Sequence, residues 1–184
     1  MRLKETLLVL ISSLLTLAPT WAANSQSISQ SPLKPYLENS EFLVLVFMST
    51  ECPLCRNYTL TLNQIAEKYD STEVSVLAVF SASMDSAQSV KIFSEKYKVK
   101  FLTLIDIENN LVELLDANVT PESYLINRNG RILYKGKIDN WAITLGRQRT
   151  KVTQHYLLEA LEEASQNKPI TLKQTKAIGC MIQR

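Results

Sequence analysis

Residues 42–48, Phe-Leu-Val-Leu-Val-Phe-Met, form an uninterrupted apolar run, the pattern of a strand covered on both faces. Soon after it, Leu54, Tyr58, Leu62, Ile65, Ala66 and Tyr69 recur at helical spacing, with Asn57, Asn63, Glu67 and Lys68 on the remaining positions. Residues 74–80 repeat the buried-strand pattern, and Ala87, Val90, Phe93 and Tyr97 mark a second amphipathic helix. A short strand at 101–105 and a short helix carrying Leu111, Leu114 and Leu115 follow. Strands at 124–126 and 131–135 flank Asn127-Arg128-Asn129-Gly130, whose Asn-Gly pair signals a hairpin. Val152, Tyr156, Leu157, Ala160, Leu161 and Ala164 then share one face of a last helix. Alternating strands and helices, closed by a hairpin and a helix, predict an α/β fold with a mixed central sheet flanked by helices.

The ends of the chain read differently. Arg2 and Lys4 precede a short apolar stretch from Leu7 to Leu17, Pro19 breaks it, and Thr20-Trp21-Ala22 offers small residues before a cut after Ala22. That is the pattern of a cleaved secretory signal over residues 1–22, with an uncleaved N-terminal anchor as the competing reading. No cysteine lies near the cut to carry a lipid. Export to a periplasmic or extracellular space puts the mature chain where disulfides persist, with no stable membrane span after cleavage. Residues 23–40 read as an irregular lead-in, 41–166 as one domain, and 167–184 as a C-terminal tail set off by Pro169. With 20 Lys and Arg against 18 Asp and Glu, and no basic cluster, the composition argues against nucleic-acid partners.

The candidate chemistry lies in Cys52-Pro53-Leu54-Cys55, between the first strand and the first amphipathic helix of the domain. Two thiols three positions apart at the head of a helix can close a short disulfide. The helix N-terminus favours a thiolate on the first, which is the species that attacks disulfides, while the second thiol resolves the mixed disulfide. Cys52 is therefore expected to be the more acidic and more exposed thiol and Cys55 the shielded one. Glu51 beside it opposes ionisation. A zinc site needs a second Cys or His pair, and His155 and Cys180 stand alone far down the chain. A c-type haem needs His after the second cysteine, where Arg56 stands. No cofactor is expected; the partners are protein or small-molecule thiols and disulfides, and a redox partner. His155 reads as a surface or packing residue, and Asp139 and Trp141 as either groove lining or a loop anchor.

Together these features resemble the thioredoxin superfamily. The dithiol follows the first strand and opens a helix, and Thr120-Pro121 comes directly before the strand at 124–126. The resemblance implies a cis-proline at Pro121 that faces the dithiol, with Thr120 and Pro121 binding substrate through the backbone. The segment from about 98 to 119 is similar to the inserted strand and helix of exported thioredoxin-like reductases and peroxiredoxin-like redoxin domains. The ending Thr175-Lys176-Ala177-Ile178-Gly179-Cys180 is similar to that of a bacterial redoxin subgroup. Thioredoxin's buried acid, six residues before its first cysteine, corresponds to Val46 here.

The activity implied is thiol–disulfide exchange by Cys52 and Cys55. A peroxiredoxin-like thiol peroxidase is one alternative. Ser49 meets the family's Thr or Ser three residues before the cysteine, but Leu45 stands where that family has proline. A Cu(I)-handling module is the other, since thiolates are soft ligands. Cys180 is the odd thiol: reactive, intermolecular or simply packed. The Gly-Cys ending, which lets backbone pack closely, and the tail shared with the redoxin subgroup predict that the tail folds back and brings Cys180 near the Cys52/Cys55 end, as a possible third thiol.

Overall fold

A computed structural model describes residues 20–184. In chain order its elements are α1 (Thr20–Ser29), α2 (Lys34–Asn39), β1 (Phe42–Met48), α3 (Pro53–Lys68), β2 (Val74–Ser81), α4 (Ala87–Lys96), β3 (Leu102–Asp106) and α5 (Asn110–Leu114). They continue with β4 (Val119–Thr120), β5 (Glu122–Asn127), β6 (Ile132–Gly136), β7 (Ala142–Thr144), β8 (Arg147–Gln148), α6 (Tyr156–Ser165) and β9 (Cys180–Met181). Most of the expected export signal, residues 1–19, lies outside the described residues. No helix of the described residues is long and apolar enough to cross a membrane.

The main sheet has the order β3-β2-β1-β5-β6. β2 and β3 run parallel to β1, and β5 pairs with β1 antiparallel, as β6 does with β5. This is the mixed sheet that the alternation predicts. β1 is central and buried along its whole length, which is why it carries no polar alternation. Its residues divide by parity: Val44, Val46 and Met48 join the core with Tyr58, Leu62, Phe93, Leu157 and Leu161. Leu43, Leu45 and Phe47 join the opposite core with Leu111, Val112 and Tyr124. The expected Asn-Gly turn is present, with Gly130 at φ +75°, where a Cβ would meet the Ser25 carbonyl oxygen.

Two expectations change. The lead-in at 23–40 is not irregular: it forms much of α1 and all of α2, and its widely spaced Ile28, Leu33 and Leu37 are buried in the core that contains Tyr124. The last helix starts at Tyr156, four residues after the apolar pattern begins, because Asn140 holds the preceding backbone. Its side-chain oxygen accepts from the amides of Thr153 and Gln154, and its own amide donates to the Gln154 carbonyl.

The tail folds back as its Gly-Cys ending predicts, and it is docked along much of its length. Lys135 N donates to Lys173 O and Thr175 N to Lys135 O, so the tail runs beside the edge strand β6 and covers its unpaired groups. Thr175 Oγ1 takes the amide of Lys137 at 2.8 Å and lies 2.7 Å from the Tyr134 hydroxyl. β9 then pairs antiparallel with β4, Thr120 opposite Cys180, and Ile182 is buried with its amide on the Asn118 carbonyl.

Gly179 makes that crossing possible. A Cβ there would lie 2.1 Å from the Thr120 carbonyl oxygen, closer than any real Cβ contact. Gly179→Ala is expected to cost about 1–3 kcal/mol by overpacking against backbone that cannot swing away. Urea unfolding measures the loss, and faster hydrogen exchange at the Ile182 amide would localise it to the tail.

Candidate active site

Cys52 is the N-cap of α3 and Pro53 its first residue, a position where proline's missing N–H costs nothing. The turn before it is fixed from several sides. Cys52 N donates to Ser49 O, and Glu51 N to Ser49 Oγ. Asp85 Oδ1 accepts both the amide of Thr50 at 3.0 Å and its hydroxyl at 2.5 Å. Asp85 is buried, and its second oxygen has no hydrogen-bond partner among the described residues. Sequence reading missed it, because Asp85 sits beside the Ser86 capping box and looks like a helix-start residue, while its partner lies 35 positions away.

Three sulfurs meet at this point. Cys180 Sγ lies 2.9 Å from Cys52 Sγ, in position to donate to it. Cys52 Sγ, when protonated, donates in turn to the Thr120 carbonyl at 3.1 Å. Cys55 Sγ accepts the Ser49 amide at 3.5 Å. All three cysteines are free. The Thr120-Pro121 peptide is cis, and the buried Thr120 hydroxyl has no hydrogen-bond partner among the described residues.

The arrangement separates the thiols by acidity. The Cys55 thiol is the largest influence on Cys52, donating toward its sulfur; burial opposes ionisation, and the Cys180 thiol and the backbone amides of Cys55 and Cys180 favour it. The balance lowers the Cys52 pKa to about 4. Burial, then the hydrogen bond and charge of Cys52, push Cys55 well above the ordinary thiol range, and the same causes push Cys180 up to about 11. At neutral pH the cluster therefore holds one thiolate, on Cys52, and two protons.

Exposure does not follow the expectation. Cys52 is 1% exposed and Cys55 0%, whereas Cys180 is half-buried. β9 covers the sulfur that the end of the helix would otherwise present to solvent. Glu51 is exposed and is not among the groups that shift Cys52.

The remaining candidates separate from the cluster. Asp139 is buried and accepts from the Tyr58 hydroxyl at 2.6 Å and the Trp141 amide at 2.8 Å, and Trp141 packs edge-on against Tyr58. That is a loop anchor. His155 is exposed at the N-cap of α6. Glu122, a buried acid directly after Pro121, is pushed up mainly by burial, but its carboxylate accepts from the Asn118 amide and steadies the tail's docking strand. Among the described residues no cluster of three or more His, Cys, Asp or Glu is arranged to hold a metal ion.

The model of the AhpC/TSA family matches residues 15–135. The chain belongs to the AhpC/TSA family. A curated relative, thiol-disulfide oxidoreductase ResA of Bacillus thuringiensis subsp. konkukian (strain 97-27), is 25% identical over 136 residues, spanning 74% of this chain and 76% of the relative. A hypothetical protein of Sinorhizobium meliloti 1021 superposes with a TM-score of 0.70 at 24% identity, covering 81% of this chain and 82% of its own. The thioredoxin domain of a thiol-disulfide oxidoreductase from Bacteroides vulgatus gives a TM-score of 0.50 at 16% identity, over 56% of this chain and 73% of that one. Within the AhpC/TSA family, then, this chain carries a thioredoxin-like fold.

The acidity of Cys52 sets a pH dependence. Its folded pKa of about 4 lies below the ordinary value of 9.0, so the thiolate contributes stability that is fully present above about pH 9 and is lost as pH falls toward 4. Far-ultraviolet thiolate absorbance of the reduced protein is expected to persist at neutral pH and vanish around pH 4. Cys52→Ser should remove it, and the gap in melting temperature between reduced wild type and this variant should widen from pH 4 to pH 9.

Proposed function

We propose that this AhpC/TSA-family protein is a thiol–disulfide oxidoreductase working through a Cys52/Cys55 dithiol–disulfide couple. The observation that carries this reading is the pairing at the head of α3 of a stabilised thiolate, Cys52, with a protonated, fully buried thiol, Cys55. A thiolate attacks a substrate disulfide, and a neighbouring thiol displaces the substrate from the mixed disulfide. Backbone at Thr120 and Pro121, beside the sulfurs, would hold an extended substrate segment only once β9 has left β4, because β9 pairs with Thr120 in the docked state. The named activity of the ResA relative is of the same class.

Peroxide is the weaker substrate in this reading. The Ser49 hydroxyl is engaged by the Glu51 amide, and Leu45 is fully buried inside β1, where a peroxidase loop would need proline. Export is proposed from the pattern of residues 1–22, and a periplasmic or extracellular site would keep the couple in an oxidising compartment.

Reduction of a protein disulfide such as insulin's, driven by a small dithiol, is expected to fall to background in Cys52→Ser. The double variant Cys55→Ser/Cys180→Ser, which leaves Cys52 with no neighbouring thiol, should accumulate mixed disulfides with the substrate. Stopped-flow oxidation of Cys52 by hydrogen peroxide is expected to stay near the rate of a free thiol. A rate typical of dedicated peroxidases would replace this reading with peroxide reduction. N-terminal sequencing of the protein recovered from an exporting host is expected to begin after Ala22; an intact N-terminus on a cell-associated chain would favour an uncleaved anchor.

A further inference from the structure

Cys180 lies outside the two-thiol exchange just described, yet it is the sulfur nearest to solvent in the cluster. Its position is imposed by the fold. β4 and β9 set Cys180 opposite Thr120, Gly179 lets the backbones approach, and buried Ile182 holds the chain beyond. The 2.9 Å between Cys180 Sγ and Cys52 Sγ needs only about 1 Å of further approach to reach disulfide length. Cys52, at 1% exposure, offers an external sulfur little access while β9 is docked.

We propose that Cys180 is the sulfur through which external thiols and disulfides reach Cys52, by way of a Cys52–Cys180 disulfide that interconverts with Cys52–Cys55. This rests on the thiol–disulfide function proposed above and adds the route by which it reaches its substrate.

The steps balance. In the oxidised protein the Cys180 thiolate attacks Cys52 Sγ; the Cys52–Cys180 bond forms and the Cys52–Cys55 bond breaks. The electron pair goes to Cys55, which takes up the proton Cys180 gave up, so there is no net oxidation. A substrate thiolate next attacks Cys180 Sγ, forming a substrate–Cys180 disulfide and expelling Cys52 as thiolate. Cys52 is the group best suited to leave, because a sulfur of low pKa departs fastest. A second thiol of the same substrate then attacks the substrate sulfur and releases Cys180. The substrate leaves as a disulfide, oxidised by two electrons, and the protein is left with its thiols reduced. The reverse sequence reduces a substrate disulfide.

The test uses the full chain carrying Cys55→Ser, or Cys55→Ala if a buried serine hydroxyl disturbs folding. The reduced variant is treated with the thiol oxidant diamide, quenched in acid, alkylated and peptide-mapped by mass spectrometry beside wild type. The expected result is loss of two thiols per monomer, with an intramolecular Cys52–Cys180 peptide, and a minor fraction of the same peptide in oxidised wild type. If the folded variant keeps Cys180 free, or links only between chains, while wild type forms Cys52–Cys55, the Cys180 route is wrong and the two-thiol function stands. If wild type forms no Cys52–Cys55 disulfide, the proposed function itself fails. Kinetics give a second arm. Cys180→Ser should slow exchange with glutathione disulfide several-fold, whereas unchanged or faster exchange would make β9 only a removable cover.

Discussion

The main chain at Thr120 is the constraint on which the site depends. Its carbonyl oxygen lies 3.1 Å from Cys52 Sγ and accepts from it when that sulfur is protonated, its residue pairs with Cys180 across β4 and β9, and it is the surface against which Gly179 packs. Three segments far apart in sequence are therefore held in register by one stretch of backbone. A side chain at 179 would push the tail off, and losing the tail would uncover Cys52 and remove two of the donors that stabilise its charge. Dithiol, proline turn and tail behave as one unit because none reaches its observed position without Thr120.

The charge on Cys52 is supported in an uncommon way. A buried anion is costly unless it is paired or well hydrogen-bonded. Here the support comes from neutral donors, the thiols of Cys55 and Cys180 and their backbone amides, with no cation among the groups that lower its pKa. Arg56, next to Cys55 in sequence, directs its guanidinium to the carbonyls of Thr50 and Glu51. Each donating thiol is in turn made less acidic by the thiolate it serves. The protons therefore stay where they are useful, on the sulfurs that must later lose them in exchange.

The main sheet was legible in the sequence because buried parallel strands and amphipathic helices leave strong local patterns, and the dithiol was legible because its two members are neighbours. The return of the tail was legible only in its Gly-Cys ending, and its covering of Cys52 was not. The tail carries only isolated apolar residues, Ile178 and Ile182 among them, too sparse to form a period. Its docking depends on amides, a threonine hydroxyl and a missing Cβ, none of which declares a partner. The same holds for α1 and α2, anchored by three widely spaced side chains, and for Asp85, whose role is defined by an amide 35 residues earlier. Cys52 was expected to be exposed because helix N-termini usually are. A strand from the far end of the chain reverses that, and local sequence cannot register it.

The tail's anchoring also bears on whether the sulfur contact is a designed feature. β6 is an edge strand of the main sheet, and residues 173–175 cover it with main-chain hydrogen bonds to Lys135. Gly136 admits this approach: at φ +139° a Cβ there would strike Thr175 at 2.3 Å. The tail is thus fixed at β6, fixed again at Thr120, and fixed a third time where Ile182 enters the core. A cysteine on a loose terminus would meet Cys52 only by chance and would also find sulfurs on other molecules. Held at three points, Cys180 has Cys52 as its nearest sulfur, and that restriction is what lets a third thiol serve the dithiol without cross-linking chains.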